Sequence, residues 1–207
     1  FRERVVSALP TACGLVDTYW DISLRMKDRI GTWGDDQPAY YITSTQPDKP
    51  NLDSSSIRVM DPTGNCPSEF SASQFFDTLT FEETDYSYAG RTSYNGEVMR
   101  ANSLARANMT NTMGTPLADR FLARLRGEFG TPAHPILLFD LCRGIELVYA
   151  LERAVELLSN PLDDEDTDIA YTPRDGEGWG LVEAPRGPLI HHYIIENFIK
   201  NFFRHII

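Results

Sequence analysis

One stripe of apolar residues constrains this chain more than any other feature. From Pro135 to Leu158, the residues Leu141, Ile145, Val148, Leu151, Val155 and Leu158 recur at helical spacing, while Glu146, Arg153 and Glu156 fall elsewhere. So long a run with one apolar face must bury that face against other elements, which predicts a helix at the centre of a core. A second helix is predicted from Arg4 to about Ile30 through Val5, Leu9, Cys13, Val16, Trp20 and Leu24, despite Pro10 and Gly14, ending near Gly31. A third covers Pro116 to Phe129, with Thr115 as N-cap, Pro116 in the first turn and Gly130 as the stop.

Between the first two helical stretches the pattern changes. Ala39–Thr43 and Ser56–Met60 are rich in aromatic and β-branched residues and read as strands, followed by a turn over Asp61–Asn65. Phe70–Leu79 reads as a short helix capped by Ser71 or Ser73, and Tyr86–Tyr94 gives no clear element. Glycine punctuation around two apolar runs makes Gly176–Ile195 a hairpin. No repeat or low-complexity linker divides the chain, so residues 1–207 are taken as one α+β unit dominated by helices.

Charge removes several functions. The formal net charge is -11, so a phosphate backbone would be repelled and nucleic acid is not an expected partner. Part of that charge sits in Asp163, Asp164, Glu165, Asp166 and Asp168, read as a solvated loop and not as a cation site. No apolar run approaches the roughly 20 residues that cross a bilayer, which predicts no membrane span. The three cysteines, Cys13, Cys66 and Cys142, are widely separated and fit a reducing, cytoplasmic compartment better than a disulfide framework. Cys13 and Cys142 lie in helical patterns and read as inert thiols.

The residues themselves nominate no catalytic group. His134, His191, His192 and His205 show no zinc-ligand spacing, Gly176, Gly178 and Gly180 precede a strand instead of opening a helix, and no nucleophile elbow occurs. Glu183-Ala184-Pro185-Arg186-Gly187 stands out because an acid and a permanent cation flank a rigid proline. It reads equally as a functional loop or as a structural turn in which Arg186 pairs with an acidic neighbour. Adjacent His191 and His192 would point to opposite faces of a strand, so both cannot easily serve one metal.

Taken together with its flanks, Gly178 to Tyr193 resembles the Glu-Ala-Pro-Arg-Gly segment of [NiFe] hydrogenase large subunits, which runs into a histidine on a strand. Leu104-Ala105-Arg106-Ala107-Asn108 and Gly114-Thr115-Pro116-Leu117-Ala118 are similar to the Gly-Pro-Leu-Ala-Arg-x-Asn and Gly-Thr-Pro-Leu-Ala segments of the soluble subgroup that passes electrons to NAD or a deazaflavin. Ile145–Glu152 resembles the central helix of those subunits, and Pro38–Gly64 their strand-and-turn region. The resemblance implies the core of that fold, with long central helices and small antiparallel sheets. For the complete subunit it implies a Ni–Fe centre, reversible oxidation of H2, partnership with an iron–sulfur small subunit, and flavin-containing electron-transfer subunits beyond it. It places Glu183, Arg186 and His191 beside the metal site, as contributors to its electrostatics and hydrogen bonding and not as ligands.

The departures matter as much. The family holds its metals with two Cys-x-x-Cys pairs, whose soft thiolates can bridge both ions, and this chain contains neither. No cofactor and no metal ligand is therefore expected within it. Cys13-Gly14-Leu15-Val16 superficially resembles the first pair, but its setting matches the helix that follows that pair. Asn102-Ser103 stands where the family has Gly-Pro, and Phe139-Asp140-Leu141-Cys142-Arg143 where it has Tyr-His-Trp-Ala-Arg. The pattern fades over Ile194–Ile207. An initial Phe1 and this fading predict an internal portion of a longer or interrupted reading frame, inactive alone. The alternative is a metal-free relative that serves as a scaffold or interaction subunit. A third reading, accidental matches in an unrelated α+β domain, predicts that the Glu183–His192 segment packs far from the central helix.

Overall fold

A computed structural model describes residues 1–30, 38–50, 56–160, 170, 172, 174–197 and 199–206. The expected helix stop at Gly31 and the acidic run from Asp163 to Asp168 lie outside these. Helix α1 spans Arg2–Arg25 and carries Pro10 inside it; after Met26 a last turn, α2, covers Lys27–Ile30. Helix α5 spans Pro116–Phe129 and α6 spans Phe139–Leu157, the latter entered through a 3-10 turn at Ile136–Leu138. Gly144 lets α1 approach α6 closely, since a Cβ there would stand 3.2 Å from Val16 Cγ2.

Thr115 occupies the N-cap position of α5 but makes no capping bond, and its buried Oγ1 has no partner among the described residues. The orphan amides of the first turn go instead to Glu152 of α6, whose carboxylate accepts from Leu117 N at 3.0 Å and Ala118 N at 3.0 Å. A carboxylate at the positive end of the helix satisfies both the donors and the dipole, which a hydroxyl cannot.

Helix α4, Asn102–Met109, was not legible as a helix. Every residue from Ser103 to Met109 is buried, so no polar face marks a period. Around it the helical core gathers Val16 and Trp20 of α1, Phe121, Leu122 and Leu125 of α5, and Leu141, Ile145 and Val148 of α6. The stripe on α6 is shorter than its sequence implies, because Leu151, Val155 and Leu158 are only half-buried.

The two expected strands form as β1 (Tyr40–Thr43) and β2 (Ile57–Met60), paired antiparallel, and Asp61 closes the turn by accepting from Thr63 N and Asn65 N. Four further strands were unread: β3 (Ser68–Phe70), β4 (Thr80–Thr84), β5 (Ser87–Tyr94) and β6 (Glu97–Arg100). They complete a six-stranded sheet of order β3-β2-β1-β6-β5-β4, in which only the β1–β6 pairing is parallel among the described residues. Phe70 ends a strand and does not begin a helix; the short helix comes after it, as a 3-10 turn Ala72–Gln74 with a Ser71–Gln74 capping box running into α3 (Phe75–Thr78).

The expected hairpin forms as β7 (Gly176–Ala184) and β8 (Gly187–Glu196), and β9 (Ile199–Ile206) extends it to a three-stranded antiparallel sheet. Ile190 and Leu181 of the hairpin pack with Ile42, Ile57, Val59 and Phe70 of the larger sheet. The fold is α+β, with helices on one side and the hairpin sheet docked where sheet and helices meet. No helix among the described residues is long and apolar enough to cross a membrane.

Candidate functional site

Arg106 is the node of the molecule. On the fully buried helix α4 its side chain is 7% exposed, and every nitrogen of the guanidinium is committed. Nε and Nη2 donate to the two carboxylate oxygens of Glu146 on α6, at 2.5 and 2.9 Å. Nη1 donates to Glu183 Oε1 on β7 at 2.7 Å and to the Ala184 carbonyl at 3.1 Å, and Nη2 also reaches the Pro185 carbonyl at 2.9 Å. A planar five-donor fork suits this task, because two carboxylates and two carbonyls can be held in one geometry that a lysine could not match.

Glu183 is the more deeply buried of the two acids, 2% exposed against 25% for Glu146. Its second oxygen accepts from Ser44 N and from Ser44 Oγ, each at 2.7 Å, so strand β1 and its exit are tied to the hairpin through the same carboxylate. Burial works against the Arg106 charge, but the hydrogen bonds and charges of Glu146 and Glu183 outweigh it and push the Arg106 pKa up.

The backbone around this node is built to fit. Gly187, at φ 133°, brings the hairpin turn so close to the start of α4 that a Cβ would fall 2.7 Å from Ala101 Cβ. Asn102 adopts φ 80°, a left-handed conformation that suits glycine and that asparagine tolerates, and its Oδ1 accepts from Ser103 N. Asn102 thus takes a backbone conformation that glycine adopts readily, and Ser103 Oγ donates onward to the Phe139 carbonyl.

Of the residues singled out from sequence, Glu183 lies at this node. Arg186 is exposed at the tip of the turn and is not brought into it. His191 is not brought to Glu183 either. In the hairpin register Glu183 pairs with Pro188, and His191, three residues further along β8, points to the opposite face, where its Nδ1 meets Tyr193 Oη at 3.0 Å. His192 shares the inward face with Glu183 but sits towards the far end, stacked on Trp179 with ring centroids 3.7 Å apart and hydrogen-bonded to Glu177. Arg106, Glu146 and Ser44 were missed as site residues. An arginine flanked by Ala105 and Ala107 and a glutamate within the central helix were the available signals.

A cleft of about 400 Å³ opens over the node. Glu146, Glu183 and Arg106 line its polar part, and Met113, Tyr149 and Pro185 supply apolar wall. Arg153 lines the cleft as well, so two carboxylates face two guanidinium groups and the lining is formally neutral.

No family model matches the chain. It is 33% identical over 171 residues to one subunit of the vhu F420-non-reducing hydrogenase of Methanococcus voltae, a match that covers 79% of this chain and 39% of that protein. It is 32% identical over 147 residues to the beta subunit of the NAD-reducing hydrogenase HoxS of Cupriavidus necator, covering 66% of this chain and 30% of that protein. The chain thus spans well under half the length of the curated relatives it matches. Its fold superposes on a crystal structure of an NAD+-reducing [NiFe]-hydrogenase with a TM-score of 0.87 at 21% identity, over 100% of this chain and 48% of that one. An [NiFeSe]-hydrogenase from Dm. baculatum matches with a TM-score of 0.70 at 17% identity, over 99% of this chain and 48% of that one.

Proposed function

We propose that this chain, a homologue of part of the [NiFe] hydrogenase large subunits, is a portion of the catalytic subunit of such an enzyme, one whose complete form reversibly oxidises H2 and passes electrons through an iron–sulfur partner to a soluble cofactor in the cytoplasm. The observation that carries the reading is the Arg106 node. Three blocks of sequence similar to the family, around Leu104–Asn108, Ile145–Glu152 and Glu183–Gly187, converge on one guanidinium. Accidental similarity would leave them scattered, and that reading required the hairpin to pack far from α6; Glu183 and Glu146 instead share Arg106.

The residues of this chain do not fit a Ni–Fe centre. Among the described residues no three His, Cys, Asp or Glu side chains gather as a metal-binding group. The three thiols sit apart, Cys13 half-buried in α1, Cys66 exposed ahead of β3 and Cys142 buried in α6, where burial pushes its thiol up and away from the thiolate a metal needs. Residues 1–207, taken as a single partial domain, contribute framework: Arg106 holds the Glu183–Gly187 loop against the central helix, and Glu183 fixes the exit of β1. In the complete enzyme Glu183, Arg186 and His191 would lie near the metal site, contributing to its electrostatics and hydrogen bonding and not serving as ligands. On this reading the chain alone does not oxidise H2.

The alternative, a metal-free scaffold or interaction subunit, draws on the same misfit of donors. Sequencing the DNA on both sides of the coding segment separates the two. In-frame Cys-x-x-Cys codons on each side support the catalytic-subunit reading; stop codons or unrelated genes on either side remove it and leave the scaffold.

A further inference from the structure

Two arginines keep a buried nitrogen without an acceptor among the described residues, Arg126 at Nε and Arg58 at Nη1. Arg106 is held by two carboxylates, and Arg126 spends its terminal nitrogens on the carbonyls of Ala107, Thr110 and Asn111. Arg58, on β2, is 6% exposed, yet no carboxylate pairs with it among the described residues. Its Nη2 donates to the Met109 carbonyl at 3.0 Å and to Cys66 Sγ at 3.8 Å, and its buried Nη1 has no acceptor among the described residues. Glu69 stands opposite Arg58 on β3 but is exposed and accepts from Ser56 Oγ at 2.6 Å. A guanidinium cannot shed its charge, so a desolvated, unpaired one favours any acceptor that can be delivered to it.

Cys66 is the exposed member of the three cysteines, and it already contacts that guanidinium. Thiol sulfur is a weak acceptor, whereas an oxygen carried on it is a strong one. We propose that Cys66 is a peroxide-sensitive thiol whose sulfenic acid is captured by Arg58. In the step, the sulfur attacks the terminal oxygen of a hydroperoxide, an S–O bond forms and the O–O bond breaks. The thiol proton passes to the departing oxygen, which leaves as an alcohol or, from hydrogen peroxide, as water. Sulfur loses two electrons and the peroxide gains them. The new oxygen is carried on the sulfur that Nη2 contacts, on the guanidinium whose Nη1 lacks an acceptor among the described residues; one thiol then forms a mixed disulfide with loss of water, and a second thiol releases Cys66 as the other disulfide forms.

The test treats the full chain with hydrogen peroxide, traps sulfenic acid with a cyclic 1,3-dione and quantifies adducts at each cysteine by peptide mass spectrometry. Adducts at Cys66 should exceed those at Cys13 and Cys142 by about tenfold or more. Exposure alone could give that ranking, so a second comparison addresses Arg58. Cys66→Asp presents a permanent oxygen anion to Arg58, and it should melt about 2–4 °C above Cys66→Ser. Adducts no more abundant at Cys66 than at Cys13, or a Cys66→Asp variant that melts no higher than Cys66→Ser, each overturns the proposal. Both proteins keep Arg58 and alter only an exposed position, so neither measurement depends on disturbing the core.

Discussion

Replacing Arg106 with methionine removes the guanidinium while keeping much of the side-chain volume. What remains is Glu183, 2% exposed, with Ser44 N and Oγ as its only other donors among the described residues. Stranding one partner of a buried ion pair costs about 3–5 kcal/mol, because the remaining charge can neither pair nor hydrate. Glu146, at 25% exposed, recovers water and adds little, and the Ala184 and Pro185 carbonyls each lose a donor. Against a typical domain stability of about 5–15 kcal/mol this is a large fraction, equivalent to about 6–20 °C in melting temperature. Urea denaturation followed by tryptophan fluorescence measures it. A second substitution isolates the cause. Glu183→Gln in the wild-type background breaks a charged pair and should destabilise. In the Arg106→Met background the same change removes a stranded charge while a side-chain oxygen stays available to Ser44, and it should stabilise. If Glu183→Gln destabilises in both backgrounds, buried charge is not what Arg106 compensates.

Three further outcomes follow from the packing. Glu152→Ala should cost about 1–2 kcal/mol by uncapping the first turn of α5, read as a lower urea midpoint at unchanged slope. Asn102→Ala, forced to keep φ 80°, should cost about 1–3 kcal/mol, while Asn102→Gly should fall within about 1 kcal/mol of wild type in the same titration. His134 should titrate by NMR below the ordinary imidazole value of 6.5, because burial disfavours its cation and the Arg100 guanidinium adds to the effect, with a bond to the Pro62 carbonyl opposing. The unfolded chain then takes up the proton first, so the stability that His134 contributes is complete above about pH 6.5 and is lost as pH falls through its folded value. Substituting His134 with glutamine should flatten that part of the pH–stability curve.

Most elements that were legible in the sequence have one wet face, while β1 and β2, buried almost throughout, were legible from their aromatic and β-branched content. α1, α5, α6 and the Gly176–Ile195 hairpin each vary between apolar and polar residues in a way that periodicity registers. Helix α4 escaped because it is buried on every side, and β4 and β6 because their residues are largely exposed or half-buried and show no apolar face. The site was legible in part for a related reason. Glu183 stood out within a glycine-rich turn, but its partners lie 77 and 139 positions away in sequence, at Arg106 and Ser44, where only the fold can bring them together. Resemblance to a family supplied the order of the blocks; the shared guanidinium explains why those blocks belong to one structure. His191 was chosen over His192 by that resemblance, and strand register separates it from Glu183.

The most direct test of the account is to isolate the native gene product from its source with an antibody against this chain, then measure its size, its nickel and iron, and its hydrogen-dependent dye reduction. The account predicts a polypeptide well above 23.4 kDa that carries both metals and consumes hydrogen. A nickel-free product of 23.4 kDa with no hydrogen uptake, as the only species recovered, would contradict it.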